Sequence, residues 1–231
     1  MARRKQVKIG QCVYCGQTRL LTKDHIPPKN LFPVPRPHNL VTVPSCQACN
    51  KGAELDDEYF RLMIALREDM NESRAAVRVQ QAAIRGVHQR NERGFKQAIL
   101  ASMRMAELVT PGGLYLGDMA TYRVDATRLK RVASRTVRGL FYHEKGYRLP
   151  AQYEAATWAA SEFDHSPRKL TQAVELVSYL RAQPFRMIGE GVFSYKFKAA
   201  DADENATAWV LIFYERFAFV GLTLPHDEER W

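Results

Sequence analysis

The sequence predicts an α+β protein with a distinct N-terminal part that contains all of its cysteines. Two C-x-x-C pairs lie within the first 50 residues, apolar residues follow helical spacing in the middle, and strand-like apolar runs follow residue 113. A chain of 231 residues, 46% of them hydrophobic, suits one large domain or two small ones and can bury a core without disulfides. We divide it into an N-terminal module (1–60), a helical connector (61–110) and a C-terminal α+β domain (111–231).

The two C-x-x-C pairs contain every cysteine of the chain: Cys12, Cys15, Cys46 and Cys49. Two such pairs, roughly thirty residues apart, have the spacing of a tetrahedral structural zinc site. Buried thiols or a redox pair are the alternatives, although no βαβ pattern surrounds either pair. The sequence therefore predicts one structural Zn²⁺. Reduced, metal-bound cysteines also favour a cytoplasmic location.

The segment between the two pairs has the pattern of a β-hairpin followed by a helix. Thr18–Thr22 and Leu40–Val43 are the predicted strands, and a proline-rich loop joins them. Pro44-Ser45 is expected to end the second strand. The N-terminal module is therefore predicted to have a ββα arrangement.

The remaining elements change in character at Pro111-Gly112-Gly113, which we expect to stop a helical region covering residues 56–108. Acidic residues in the first turn support a helix start near Asp56. Beyond the stop, apolar spacing predicts the strands Leu114–Leu116, Thr121–Val124, Val192–Lys198 and Ala208–Leu224, and the helices Ala126–Phe141 and Pro167–Gln183. The strands are expected to form an antiparallel sheet.

The formal net charge of +9 is unevenly distributed along the chain. Residues 1–60 and 61–110 each carry a net +4, whereas residues 111–231 carry +1. Such a field favours a polyanion such as nucleic acid, and a generic basic surface is the alternative. No apolar stretch approaches the roughly 20 residues of a membrane span, and no secretory signal follows the basic N-terminus, so no membrane partner is expected.

The cysteine pairs enclose further polar residues in a recognisable order. Lys23-Asp24-His25-Ile26-Pro27-Pro28-Lys29 follows the first pair, His38-Asn39-Leu40 comes next, and Asn50-Lys51 follows the second pair. This order resembles the HNH endonucleases, and in particular the zinc-stapled members of the ββα-metal (His-Me finger) superfamily. The resemblance covers residues 9–60, and the rest of the chain resembles no family that we can name.

The resemblance implies a role for each of these residues. His25 would be the general base, Asp24 and Asn50 would bind a catalytic divalent ion, and Asn39 would brace the loop that carries the base. Asn50 stands where the family name has its last histidine, and an Asp–Asn oxygen pair suits Mg²⁺ or Mn²⁺ better than Zn²⁺. An imidazole with a pKa near 6.5 can accept a proton from water at neutral pH. Alternatives are a packed histidine for His25, a plain loop residue for Asn39 and a helix cap for Asn50.

Two sets of basic residues are candidates for nucleic-acid contact. Lys23, Lys29 and Lys51 flank the motif residues, and a solvated lysine is the alternative for each. Arg128, Arg131, Arg135 and Arg138 fall on one stripe of the predicted helix Ala126–Phe141. The stripe is either a phosphate-binding surface or the solvated face of a helix that packs on the core.

The leading interpretation is therefore a metal-dependent HNH endonuclease that acts on nucleic acid, with DNA favoured over RNA. The C-terminal domain would supply target choice, regulation or homodimerisation. A zinc-stapled nucleic-acid-binding or adaptor protein without turnover is the main alternative. A nuclease effector gated by its C-terminal domain is another.

Overall fold

The computed structural model describes residues 8–67, 70, 73–89, 97, 100–163 and 167–226. The strands are β1 Lys8–Gln11, β2 Thr18–Ile26, β3 Val41–Cys46, β4 Arg104–Val109, β5 Tyr115–Thr121, β6 Tyr153–Ala159, β7 Arg186–Ile188, β8 Phe193–Ala200, β9 Asp203–Phe213 and β10 Phe217–Pro225. The helices are α1 Gln47–Gly52, α2 Glu54–Ala65, α3 Arg74–Gln89, α4 Ala126–Lys145 and α5 Pro167–Tyr179. Helices combined with antiparallel sheets confirm the predicted α+β class.

Three antiparallel sheets organise the described residues. β1-β2-β3 form a three-stranded sheet that α1 and α2 follow, β4-β5 form an isolated hairpin, and β6-β10-β9-β8-β7 form a five-stranded sheet. The predicted strand Thr18–Thr22 is longer than expected and continues through Ile26. β3 likewise continues past Pro44 to Cys46, which corrects the predicted stop. Proline is tolerated there because β3 is an edge strand, where one N–H can be missing from the ladder.

Helix α4 lies between the three-stranded and five-stranded sheets, and two glycines allow the close approach. A Cβ on Gly139 would lie 2.5 Å from Cγ1 of Ile26 in β2. On the side of the five-stranded sheet, a Cβ on Gly221 would lie 3.0 Å from Cγ2 of Val137. Asp125 caps the helix start by accepting hydrogen bonds from two backbone N–H groups, and Gly146 ends the helix in the left-handed conformation. The helix α4 is therefore packed against the three-stranded sheet on one side and against the five-stranded sheet on the other.

The hydrophobic core is continuous from the cysteine pairs to the five-stranded sheet. The Phe60 ring of α2 lies 5.0 Å from the ring of Phe213 and 5.8 Å from that of Phe219. The Tyr214 hydroxyl donates a 2.5 Å hydrogen bond to the Leu31 carbonyl. The proposed boundaries at residues 60 and 110 therefore do not separate independent cores: the first falls inside α2 and the second in the turn between β4 and β5.

The end of the predicted helical connector is a strand instead. Residues 104–109 form β4, and Pro111-Gly112-Gly113 belongs to the turn that leads into β5. The Gly113 N–H donates to the Thr110 carbonyl, and the left-handed φ of +83° at Gly113 suits glycine. The Pro-Gly-Gly sequence thus closes a hairpin, which the helical spacing of the preceding residues did not reveal. Of the predicted strand Thr121–Val124, only Thr121 belongs to β5, and β6 and β7 had no sequence prediction.

Candidate active site

The four cysteines form one cluster at the base of the β2–β3 hairpin. Their sulfur atoms all lie within 4.8 Å of one another, and Sγ of Cys15 is 3.9 Å from Sγ of Cys46. Cys46 is the residue before α1 and donates its backbone N–H to Sγ of Cys12. Four sulfurs at this spacing can surround one tetrahedral ion, whose thiolate ligands lie about 2.3 Å from a zinc centre. The cluster could therefore hold a metal ion such as zinc.

Positive charge surrounds this cysteine cluster. The Arg148 guanidinium lies against Gly16, and its Nε is buried without a hydrogen-bond partner among the described residues. Burial and the charge of Arg148 lower the pKa of Arg138, whereas Cys49 and Cys12 act in the opposite direction. Four thiolates with one divalent ion carry a net charge of −2, which two neighbouring guanidinium groups would balance. The charges beside the cluster thus suit a metal-bound tetrathiolate.

The two central motif residues point to opposite faces of β2, as alternation along a strand requires. Asp24 and Ile26 are buried and face α4, where Ile26 packs on Gly139. His25 is half-buried on the other face, directly opposite Thr42 of β3. The carboxylate and the imidazole therefore lie in different surroundings.

Asp24 is only 4% exposed, and its carboxylate binds Arg135 of α4. Oδ2 of Asp24 accepts from Nη2 of Arg135 at 2.6 Å and from Nε at 3.2 Å. The third nitrogen, Nη1, donates to Oδ1 of Asp57 in α2 at 2.7 Å. Although burial disfavours the guanidinium charge, Asp57 and Asp24 together raise the pKa of Arg135. The predicted metal ligand Asp24 thus has an arginine as its counter-ion.

The other arginines of the α4 stripe also have partners within the chain. Arg128 and Arg131 both donate to the Asp56 carboxylate, each with Nε at 2.7 Å, and their hydrogen bonds lower the pKa of Asp56 even though burial opposes this. Arg138 donates to the backbone carbonyl of Tyr14. From its spacing alone, this stripe was predicted to be an open surface. The structure instead packs it against the acidic first turn of α2, although Arg131 keeps 56% of its side chain exposed.

His25 lies in a positively charged environment. Burial lowers its pKa below the ordinary value, and Lys29, Arg36 and Lys23 lower it further, whereas Asp24 raises it. The imidazole is therefore neutral at neutral pH and able to accept a proton. Three nearby cations are also in a position to attract a phosphate group.

Positive charge predominates along residues 8–46, the segment that contains His25. Residues 8–46 contain a single acidic residue, the buried Asp24, and five basic residues that are all exposed: Lys8, Arg19, Lys23, Lys29 and Arg36. Lys51 is exposed on the adjoining helix α1. Three of these six cations, Lys23, Lys29 and Lys51, were predicted to contact nucleic acid because they flank the motif. The absence of acidic residues over this stretch was the signal that could have identified the other three.

Asn39 and Asn50 brace the hairpin from its two ends. The Asn39 carboxamide donates to the Met187 carbonyl and accepts from the Gly189 N–H, so it anchors the start of β3 to β7 and not to the segment around His25. Asn50 lies inside α1 and donates from Nδ2 to Oγ1 of Thr22 and to the Lys23 carbonyl. It is therefore not a helix cap, and its amide nitrogen must face β2 because a carbonyl accepts only from a donor.

A divalent ion on Asp24 and Asn50 does not fit this arrangement. Asp24 is buried and already neutralised by a guanidinium, and Asn50 turns its amide nitrogen toward β2. Mg²⁺ and Mn²⁺ require oxygen ligands that are free to converge on one point. The side chains that the resemblance assigns to this ion thus form an ion pair and a main-chain brace.

No protein-family model, curated protein or solved structure matches this chain. Among the described residues, none of the helices is long and apolar enough to cross a membrane.

Proposed function

We propose that the protein is a nucleic-acid phosphodiesterase of the HNH type, in which His25 is the general base. The observation that carries this proposal is the half-buried His25, whose pKa is lowered by burial and by three neighbouring cations, so that the imidazole is neutral at neutral pH. Phosphodiester hydrolysis needs a base that activates water and positive charge near the phosphate oxygens. His25 can supply the first, and Lys23, Lys29 and Arg36 can supply the second.

The substrate is proposed to be nucleic acid, with DNA favoured over RNA by the resemblance. Its phosphates would lie along the surface formed by the exposed lysines and arginines of residues 8–46, since contacts of this kind release counterions and provide sequence-independent affinity. We also propose that the cysteine cluster holds Zn²⁺ in a structural role. Four cysteine ligands leave no open coordination position for a substrate or water.

Two other proposals start from the pairing of Asp24 with Arg135. A nucleic-acid-binding protein without turnover could keep the same basic surface and the same cysteine cluster, and it would not need a free carboxylate at Asp24. A gated nuclease is the other, because Arg135 comes from the predicted C-terminal domain and binds a residue of the N-terminal module. In the protein without turnover, His25 would not act as a base. In the gated nuclease, Arg135 would control access to Asp24.

A nuclease assay with matched histidine variants tests the proposal. Zinc-loaded protein is incubated with supercoiled plasmid, single-stranded DNA and RNA, with and without Mg²⁺ or Mn²⁺. His25→Ala should lower the cleavage rate roughly 10²–10⁴-fold, as expected for a general base, with unchanged binding. His38→Ala is the control, since this exposed histidine lies in the loop that joins β2 to β3. Equal rates for His25→Ala and the parent protein would rule out the assigned base, and binding without cleavage by the parent would favour the non-catalytic protein.

A further inference from the structure

The guanidinium of Arg135 lies between two buried carboxylates. It bridges a carboxylate of β2 and a carboxylate of α2, Asp24 and Asp57, with N–O distances of 2.6 and 2.7 Å. All three side chains are largely buried, with side-chain exposures of 13% for Arg135, 6% for Asp24 and 14% for Asp57. Two buried carboxylates require a compensating cation, and this chain provides one from α4.

Asp57 belongs to the acidic first turn of α2, which the helix dipole alone would explain. In the structure it faces Asp24 across the same guanidinium. An arginine fork binds two carboxylates well because its planar donors match their geometry. Without the arginine, two carboxylates from two different elements would converge on one buried point, which is the kind of oxygen-rich site that Mg²⁺ or Mn²⁺ occupies.

Arg135 also has space into which it could turn. It lines a cleft of about 750 Å³ between α1 and α4, together with Arg131, Arg138 and Arg148. The backbone of α4 has no such freedom, because Gly139 is pressed against Ile26 and Val137 against Gly221. Movement of the side chain into the cleft is therefore the accessible way to uncover the two carboxylates.

We propose that Arg135 is the resident cation of this site, so that a divalent ion can bind Asp24 and Asp57 only when the Arg135 guanidinium is absent or turned into the cleft. The inference rests on the proposed function only in its choice of metal, since the ion pair itself is independent of any nuclease activity. It makes Arg135 an intramolecular competitor of any divalent ion at this site, and the second ligand of such an ion would be Asp57 and not Asn50.

Mn²⁺ binding to the zinc-loaded protein, measured by electron paramagnetic resonance without nucleic acid, tests this directly. Arg135→Gln should bind Mn²⁺ roughly 100-fold more tightly than the parent protein, since removing one partner of a buried pair leaves the opposite charge uncompensated. Adding Asp24→Asn or Asp57→Asn to that variant should abolish the gain. Arg131→Gln is the control, because it removes an arginine of the same stripe that binds Asp56 instead.

An Arg135→Gln protein that folds, as judged by circular dichroism, and binds Mn²⁺ no better than the parent overturns the proposal. If that variant does not fold, Mn²⁺ binding is instead compared between the parent protein and Asp24→Asn. One equivalent of Mn²⁺ bound at micromolar concentration and lost in Asp24→Asn overturns the proposal, whereas equal Mn²⁺ binding by the parent and Asp24→Asn supports it. These outcomes are separate from the cleavage assay: a gain of Mn²⁺ affinity without any effect of His25→Ala on cleavage would retain the resident cation and reject the proposed base.

Discussion

Replacing Cys46 by serine should destabilise the whole chain and not only its N-terminal module. Cys46 is 2% exposed, precedes α1 and receives no substitute ligand from the described residues around the cluster. A metal ion bound by both Cys46 and Cys15 would close a separation of 31 residues. By the chain-entropy argument, opening a cross-linked loop of that length costs about 4 kcal/mol. A structural zinc contributes up to about 10–16 kcal/mol of apparent binding free energy in peptides.

A loss of this size approaches the entire stability of an ordinary domain, about 5–15 kcal/mol. The loss of stability should extend to the five-stranded sheet, because the cysteines share one core with Phe60, Phe213 and Phe219. The buried Trp209 of β9 reports on the distant five-stranded sheet. We therefore expect one cooperative transition, in which zinc release and the change in tryptophan fluorescence coincide.

The assay is urea unfolding of the parent and Cys46→Ser, followed by tryptophan fluorescence and by a chromophoric zinc chelator. The urea concentration at the unfolding midpoint of Cys46→Ser should be at most half that of the parent protein. The variant could also be unfolded already in the absence of urea. Ala48→Ser is the control, since it adds a hydroxyl at an exposed position of the same C-x-x-C pair. Retention of the parent's fluorescence transition in Cys46→Ser would refute the argument from a shared core, and parent protein without bound zinc would refute the metal assignment.

Three further predictions concern the packing and charge of the site. Gly139→Ala should destabilise by about 2 kcal/mol in urea unfolding, because the clash with Ile26 outweighs the higher helix propensity of alanine, and a stabilised variant would contradict the close approach. The cleavage rate should fall on acidification only below the usual imidazole pKa of about 6.5, since burial and nearby cations lower the pKa of His25. Lys29→Gln should move this fall in rate to higher pH, because removing the Lys29 charge raises the pKa of His25. A pH profile that is the same in the variant and the parent would exclude His25 as the titrating group. Lys29→Gln should also make the slope of the logarithm of the DNA-binding constant against the logarithm of the salt concentration shallower by about one. Arg131→Gln should change this slope less, because the Arg131 side chain is already paired with Asp56.

Local signals in the sequence were sufficient for the elements that carry the motif. Cysteine spacing predicted the cluster, β-branched residues predicted β3, and apolar spacing predicted α4 close to its observed limits. Alternation along a strand would also have separated Asp24 from His25, had β2 been extended through Ile26. What local signals could not supply was the long-range pairing: Arg135 is 111 residues from Asp24, and nothing in either segment identifies the other.

Each half of the arginine interface also had an adequate local explanation. Acidic residues in the first turn of α2 suit the helix dipole, and arginines at helical spacing on α4 suit an exposed face. The two features become complementary only in the folded chain, where Arg128 and Arg131 of α4 both reach Asp56 in the first turn of α2. For the same reason, the predicted boundaries at residues 60 and 110 followed changes in sequence character, while the core that crosses them depends on contacts such as Phe60 with Phe213.

This pairing changes how the net charge of the N-terminal module should be understood. The described part of this module, residues 8–60, contains six basic and five acidic residues, and the rest of its net charge of +4 comes from three basic residues in the first seven. Asp24, Asp56 and Asp57 bind arginines of α4, and Glu58 binds Arg61 at 2.5 Å, which leaves Glu54 as the one acidic residue of this segment outside these pairs. Arginines from the C-terminal part thus neutralise most of the module's acidic side chains and leave its exposed lysines and arginines uncompensated. The basic field around His25 is therefore produced by the complete fold, and affinity for a polyanion should depend on α4 even if the α4 arginines never touch a phosphate.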